Sequence, residues 1–351
     1  KWNRENPTDI YGPAILIGVA GGAVLVAALL VAAGQPYATV SAQTGPAGTG
    51  MSVQEFEFQI ESPDPTVQAY MELDPAAADA EAGGVPVEPA MLPPSLQDLP
   101  AERQEELVRA MRAWTGIPIL FGPTETYQTV VARRMVQMTQ TLNEQWAGHT
   151  NASGQAGVNC YTCHRGEAVP SDIWFRISPQ LEQVAGWSAN QNVATMQTVQ
   201  SSLPHDALEK YLLEDNEIKV HDLQPRVAGS PADEGFPSIQ DTERTYSLMN
   251  YFANSLGVNC VFCHNSRAFY DTAQVTPQWA NAFLGIDMVQ NVNNEYLVPL
   301  KDEYPEARLG PKHGDAPKAA CRTCHKGYNK PMGGMDMISD WPELATTGGS
   351  S

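Results

Sequence analysis

The sequence predicts a mainly α-helical chain with long irregular loops, carried on one apolar N-terminal helix. Three observations predict it. No charged residue occurs between Tyr11 and Gln35. Beyond residue 100, apolar residues recur at helical spacing in Glu102 to Trp114, Thr124 to Trp146, Val193 to Ser202, His205 to Leu213 and Asp241 to Leu256. All six cysteines fall in three Cys-x-x-Cys-His pentapeptides, so the helix ends and loops around them must hold something large.

The apolar run comes first along the chain. Pro13 to Ala33, as a helix rising 1.5 Å per residue, is long enough to cross a hydrocarbon core of about 30 Å. Val40-Ser41-Ala42 loosely resembles a signal-peptide cleavage site, but an uncleaved anchor is the expectation. Lys1 and Arg4 precede the run and no Lys or Arg follows it until Arg103, which places the N-terminus in the cytoplasm and the body outside. The expected divisions are a cytoplasmic N-terminus (1–10), a transmembrane helix (11–35), an extended linker or wrapping arm (36–100), a periplasmic domain that holds all three pentapeptides (101–340) and a flexible tail (341–351). The linker is rich in Ala, Pro, Gly and acidic residues, and Phe56, Phe58 and Ile60 alternate as in one short strand.

The pentapeptides are Cys160-Tyr161-Thr162-Cys163-His164, Cys260-Val261-Phe262-Cys263-His264 and Cys321-Arg322-Thr323-Cys324-His325. Two thiols at this spacing reach the two vinyl groups of one porphyrin edge, and the following imidazole turns under the ring to ligate iron, so each is a c-type haem attachment signature. Three haem c groups (Fe) are expected, on a chain of 351 residues whose core they help to build. A zinc ribbon would pair two Cys-x-x-Cys units and leave the third alone with three idle histidines. A redox dithiol accounts for one motif, and disulfides ignore the histidines. In bacteria such haems are attached on the periplasmic side, which agrees with the charge bias around the apolar helix.

Gly157-Val158-Asn159-Cys160 recurs as Gly257-Val258-Asn259-Cys260, an internal repeat of helix, turn and haem motif. Sixth ligands are sought on the helices that enter these turns. Met249 lies eleven residues before Cys260, and either Met135 or Met138 can reach the Cys160 haem. Met135 and His149, fourteen residues apart, would share one face of a helix within about 40° and about 21 Å apart, so one helix could serve two haems. His313 is a rival donor close to Cys321, while His205 and His221 read as solvent-facing.

These residues resemble a known family, the membrane-bound cytochrome subunit of the photosynthetic reaction centre of purple bacteria, usually a tetrahaem protein. The resemblance rests on Val131-Ala132-Arg133-Arg134-Met135, on Gly157 to Gly166 and on Ser255 to Asn265, and it covers most of the chain from about Pro100. It implies that Met135 is the sixth ligand of the Cys160/Cys163 haem, whose proximal ligand is His164, and Met249 that of the Cys260/Cys263 haem with His264. It implies further that His149 crosses to the Cys321/Cys324 haem and faces His325. A fourth motif is expected before the Met135 helix, yet Trp114 to Pro123 holds no cysteine. A trihaem variant follows, with Met111 left as a core residue.

The function implied is electron transfer, without enzymatic catalysis, in the bacterial inner photosynthetic membrane. Electrons would pass from a soluble donor, a cytochrome c or a high-potential iron-sulfur protein, to the special pair held by the reaction-centre core subunits. The Cys260 haem would lie nearest that pair, then the Cys321 haem, then the Cys160 haem. Antenna polypeptides are candidate neighbours of the anchor helix. The alternative is a membrane-anchored multihaem quinol dehydrogenase or reductase, which packs its haems into a shorter chain or leaves one iron five-coordinate. A net charge of -19 excludes nucleic acid as a partner and suits a cationic one.

Overall fold

The computed structural model describes residues 2–5, 11–34, 38–43, 52–57, 65–81, 83–151, 157–177, 191, 195, 197, 202–221, 237–310 and 314–347. It is mainly helical, and the chain forms two compact units, Lys1–Ser41 with Glu55–Ser62 and Ala42–Gln54 with Pro63–Ser351. Of the helix expected near Val193 to Ser202 only residues 195, 197 and 202 are described, and none of these three is helical; the rest of that stretch and His313 lie outside the described residues.

In the first unit, helix α1 (Tyr11–Ala33) holds no charged side chain, and Ile15–Ala33 is wholly unburied by protein. Leucines and valines left 54–73% exposed, over a length of about 35 Å, suit a lipid environment. Strand β1 (Thr39–Gln43) pairs with β2 (Ser52–Phe56), slightly ahead of the strand sought at Phe56; Phe58 and Ile60 lie outside the described residues.

The second unit begins inside the expected linker. Helices α2 (Pro65–Met71) and α3 (Pro75–Glu81) precede α4 (Ala101–Thr115), and Val67, Tyr70 and Leu73 pack on the core that α4 builds from Leu107, Val108, Met111 and Trp114. Asp79 on α3 accepts from the buried Arg112 of α4 at 2.7 Å, an anchorage that composition does not announce. The far end is also ordered. Trp341 meets Trp114 edge-on at 5.1 Å and Leu344 is fully buried, so the expected tail belongs to the core as far as that residue.

Helix α5 (Tyr127–Glu144) starts at Thr126, whose hydroxyl accepts from the Thr129 N–H. It stops before His149, which sits on a separate single turn, Ala147–Thr150. Met135 and His149 therefore do not share one continuous helix, and the shared face expected from spacing is replaced by a break at Gln145-Trp146. After the first motif helix, α6 (Cys160–His164), come α7 (Ala207–Leu212), α8 (Ile239–Leu256), α9 (Pro277–Asn291) and the last motif helix, α10 (Cys321–His325). Helix α9 went unread in the sequence because Gly285 interrupts its apolar pattern, although Thr276-Pro277 is a helix-start signal. Helices α7, α8 and α9 share a second core through Leu208, Leu212, Leu248, Ile286 and Val289.

The structural repeat differs from the repeat in the sequence. Helix α4 ends at Gly116 (φ 62°) and α8 at Gly257 (φ 64°), both left-handed, which a glycine adopts without strain. A Cβ on Gly116 would stand 2.3 Å from the Gly166 carbonyl oxygen, and one on Gly257 2.0 Å from that of Gly327. The Gly166 N–H donates to Trp114 O and the Gly327 N–H to Ser255 O, each at 2.9 Å. Thus α4 seats the first motif and α8 seats the third. By contrast Gly157 packs on Ile338, so the matching tetrapeptides hold different places.

Where a fourth motif is missing, the chain closes on itself. Leu120 and Phe121 are buried, and the Arg112 guanidinium donates to Leu120 O and Val85 O. Met111 is a core residue there.

Candidate haem sites

The first and third motifs fold alike for a reason visible in their third residue. In α6 the Thr162 hydroxyl accepts from the Asn159 N–H at 3.1 Å, and in α10 Thr323 accepts from the Ala320 N–H at 2.9 Å. Each closes a one-turn helix that lays both cysteines on one side. Arg165 (φ 53°) and Lys326 (φ 56°) then reverse the chain in left-handed geometry. The middle motif has Phe262 at that place and no such acceptor; its Cys260–Phe262 turn is 3-10, and Cys260 is exposed.

Every candidate histidine is oriented in the same way. His164 Nδ1 lies 2.8 Å from Glu167 O, His264 Nδ1 2.8 Å from Phe269 O, His325 Nδ1 2.9 Å from Tyr328 O and His149 Nδ1 2.9 Å from Asn281 O. A carbonyl only accepts, so each Nδ1 carries the proton and each Nε2 keeps its lone pair for a metal. Burial pushes the His149 and His164 imidazoles below the ordinary histidine range and His325 down to about 4, which keeps these rings neutral. Burial raises the thiols of Cys160 and Cys321 to about 12 and that of Cys263 to about 11, opposite to the thiolates a zinc site requires. Among the described residues no three His, Cys, Asp or Glu side chains gather at metal-holding spacing.

His149 and His325 face each other with ring centroids 6.2 Å apart and planes at 70°. Two imidazoles on opposite sides of one metal, with metal–nitrogen distances of about 2 Å and each nitrogen roughly 1 Å from its ring centre, need about 6 Å between centroids. Gly285 makes this approach sterically feasible, since a Cβ there would stand 2.7 Å from His149 Cε1.

A cavity of about 1080 Å³ joins most of these groups. It is lined by Cys160, Cys163, His164, Cys321, Cys324 and His325, by His149, and by one thiol of the middle motif, Cys263. Its wall is mostly apolar, with Val136, Leu142, Ile173, Phe175 and Phe252, and the volume exceeds the usual range for a drug-sized ligand of about 300–1,000 Å³. Met135 and Met138 both reach this cavity, so geometry leaves the choice between them open. Met249 instead packs on the second core, and neither it nor His264 nor Cys260 lines the cavity.

Two placements depart from the sequence reading. Cys163 and Cys324 are joined as a disulfide, with Cα atoms 4.5 Å apart, where two thioethers are expected. A sulfur bonded to sulfur cannot also bond a vinyl carbon, so the two arrangements exclude each other. The contact does show that the first and third motifs are neighbours, although 161 residues separate them. His205, expected to face solvent, is 2% exposed and its ring nitrogens have no hydrogen-bond partner among the described residues; the docking of Pro204 on Ser247 of α8 carries it inside. Lys318, which sequence reasoning passed over, is buried in the cavity wall against Asp315, Ala316 O and the Trp174 ring.

Comparison with known proteins follows the same residues. The family described as photosynthetic reaction centre cytochrome C subunit matches residues 34–345. The photosynthetic reaction center cytochrome c subunit of Roseobacter denitrificans is 55% identical, over 99% of this chain and 96% of the relative. The proteins of the same name from Rubrivivax gelatinosus and Thermochromatium tepidum are 42% and 37% identical, over 62% and 66% of this chain and 58% and 55% of those relatives. With its Cys-x-x-Cys-His motifs, its oriented imidazoles and a match spanning nearly its whole length, the chain belongs to the photosynthetic reaction centre cytochrome c subunit family.

Proposed function

We propose that this protein relays electrons through three haem c groups, from a soluble periplasmic donor to the photo-oxidised special pair of the reaction centre. When bound, each haem supplies an iron that cycles between ferrous and ferric. The residues that would hold them are Cys160, Cys163 and His164 with Met135; Cys260, Cys263 and His264 with Met249; and Cys321, Cys324 and His325 with His149. The observation that carries the reading is the His149–His325 pair, 6.2 Å apart with both Nδ1 atoms tied to carbonyls. Ligation by both His149 and His325 would leave that iron no coordination position for a substrate, which favours relay over catalysis there. Two imidazoles also hold a lower potential than an imidazole with a thioether, so two higher-potential irons and one lower are expected.

In this reading Cys163 and Cys324 each form a thioether to their own haem. Helix α1 anchors the protein with its N-terminus in the cytoplasm. The test is flash-induced absorbance spectroscopy on native membranes. Haem oxidation matched by chlorophyll re-reduction is expected; haems silent after the flash but reduced on adding quinol would overturn the relay and indicate a quinol dehydrogenase.

A further inference from the structure

The turn that follows the first motif grips the helix of the third. Asp172 stands there with φ 61°, a left-handed geometry that aspartate and asparagine tolerate better than most residues. Its carboxylate accepts from Arg322 Nε at 3.1 Å and pairs with Lys326 Nζ at 3.4 Å. Its backbone carbonyl accepts from the Thr323 hydroxyl at 3.0 Å. Arg322 lies between the two cysteines of the third motif, and Lys326 directly follows His325. One carboxylate thus faces both cations that flank the histidine at the base of this site.

Both cations have other anchors. Arg322 Nη1 donates to Asn254 O at 3.1 Å, and Lys326 Nζ donates to Ser171 O and Ser171 Oγ at 2.8 and 2.7 Å. Removing the carboxylate charge would therefore leave two positive charges in place beside the motif. The Asp172 carboxylate is only 19% exposed and Lys326 12%, so solvent screens this group less than it screens a surface pair.

We infer that Asp172 is a positioning residue that sets the electrostatics of the Cys321/Cys324 site and lowers the potential of the haem held there. The inference rests on the proposed ligation of that haem by His325 and His149. A ferric centre carries one more positive charge than a ferrous one. A nearby carboxylate stabilises the ferric form, and arginine and lysine without their counter-charge stabilise the ferrous form. The middle motif has no equivalent: Asn265 and Ser266 follow His264, with no cation at the place of Lys326.

The experiment is a redox titration of the haem α-band in membranes, comparing the wild type with Asp172→Asn and Asp172→Glu. Asn keeps the left-handed turn and the carbonyl that Thr323 uses, so the exchange removes charge and little else. The expected result is a higher midpoint for the bis-histidine haem in Asp172→Asn, recovered in Asp172→Glu, with the Cys260 haem unchanged. An unmoved or lowered midpoint, or an equal rise at the Cys260 haem, would overturn the role of Asp172. Peptide mass spectrometry of the wild type separates the two readings. No haem on Cys321 and Cys324 removes both, whereas haem present with an unmoved midpoint removes only this one.

Discussion

At His149, three independent contacts converge. Asn281 O accepts a hydrogen bond from Nδ1–H, Gly285 leaves room beside Cε1, and His325 faces the ring across 6.2 Å. His149→Ala should strip the sixth ligand from the Cys321 haem and convert it to a high-spin spectrum, while the Cys160 haem, closer in sequence, stays low-spin. A response at the Cys160 haem would refute the crossed ligation. Met135→His, and likewise Met249→His, should keep haem bound and lower its potential, read in an α-band titration; the same exchange at Met138 should leave the potentials unchanged. pH has a definite sign here. Burial holds the folded pKa of His149 and His325 below the ordinary value, so protonation becomes favourable only under more acid conditions. The bis-histidine spectrum should therefore persist as pH falls through the ordinary histidine range and fail only under more acid conditions, which a pH titration of the haem spectrum checks.

For the elements, the third residue of each motif decides whether the motif is a helix. Thr323 satisfies the buried Ala320 N–H and donates to Asp172 O. Thr323→Val keeps the shape but removes both bonds, and a loss of about 1–3 kcal/mol is expected, measured as a lower denaturant midpoint. Helix α9 acts through absence of a side chain. Gly285→Ala should displace His149 and reproduce the His149→Ala spectrum, although the residues are far apart in sequence. Gly148→Ala meets only the end of the Leu284 side chain, at 3.1 Å, and should be milder. The helices at Glu102 to Trp114 and Asp241 to Leu256 were legible from apolar spacing, and the caps added one or two residues at their ends. Helix α9 and the packing of residues 65–81 were not legible, because a glycine and an Ala/Pro-rich composition hide contacts made with distant parts of the chain.

Across the whole molecule, charge governs encounter. A net charge of -19 predicts that the rate of reduction by a cationic donor falls steeply as ionic strength rises; a flat dependence would point to an apolar docking face instead. The number of Cys-x-x-Cys-His motifs, the apolar helix and the main helices were determined by the sequence alone, because each depends on residue types at short, regular spacing. The tertiary structure decided what spacing cannot. It brought His149 to His325, set Asp172 against Arg322 and Lys326, folded the cysteine-free stretch after Trp114 around Phe121 and Arg112, and buried His205. These are contacts between segments up to 176 residues apart, 325 less 149, and they depend on how packed helices meet rather than on any local pattern.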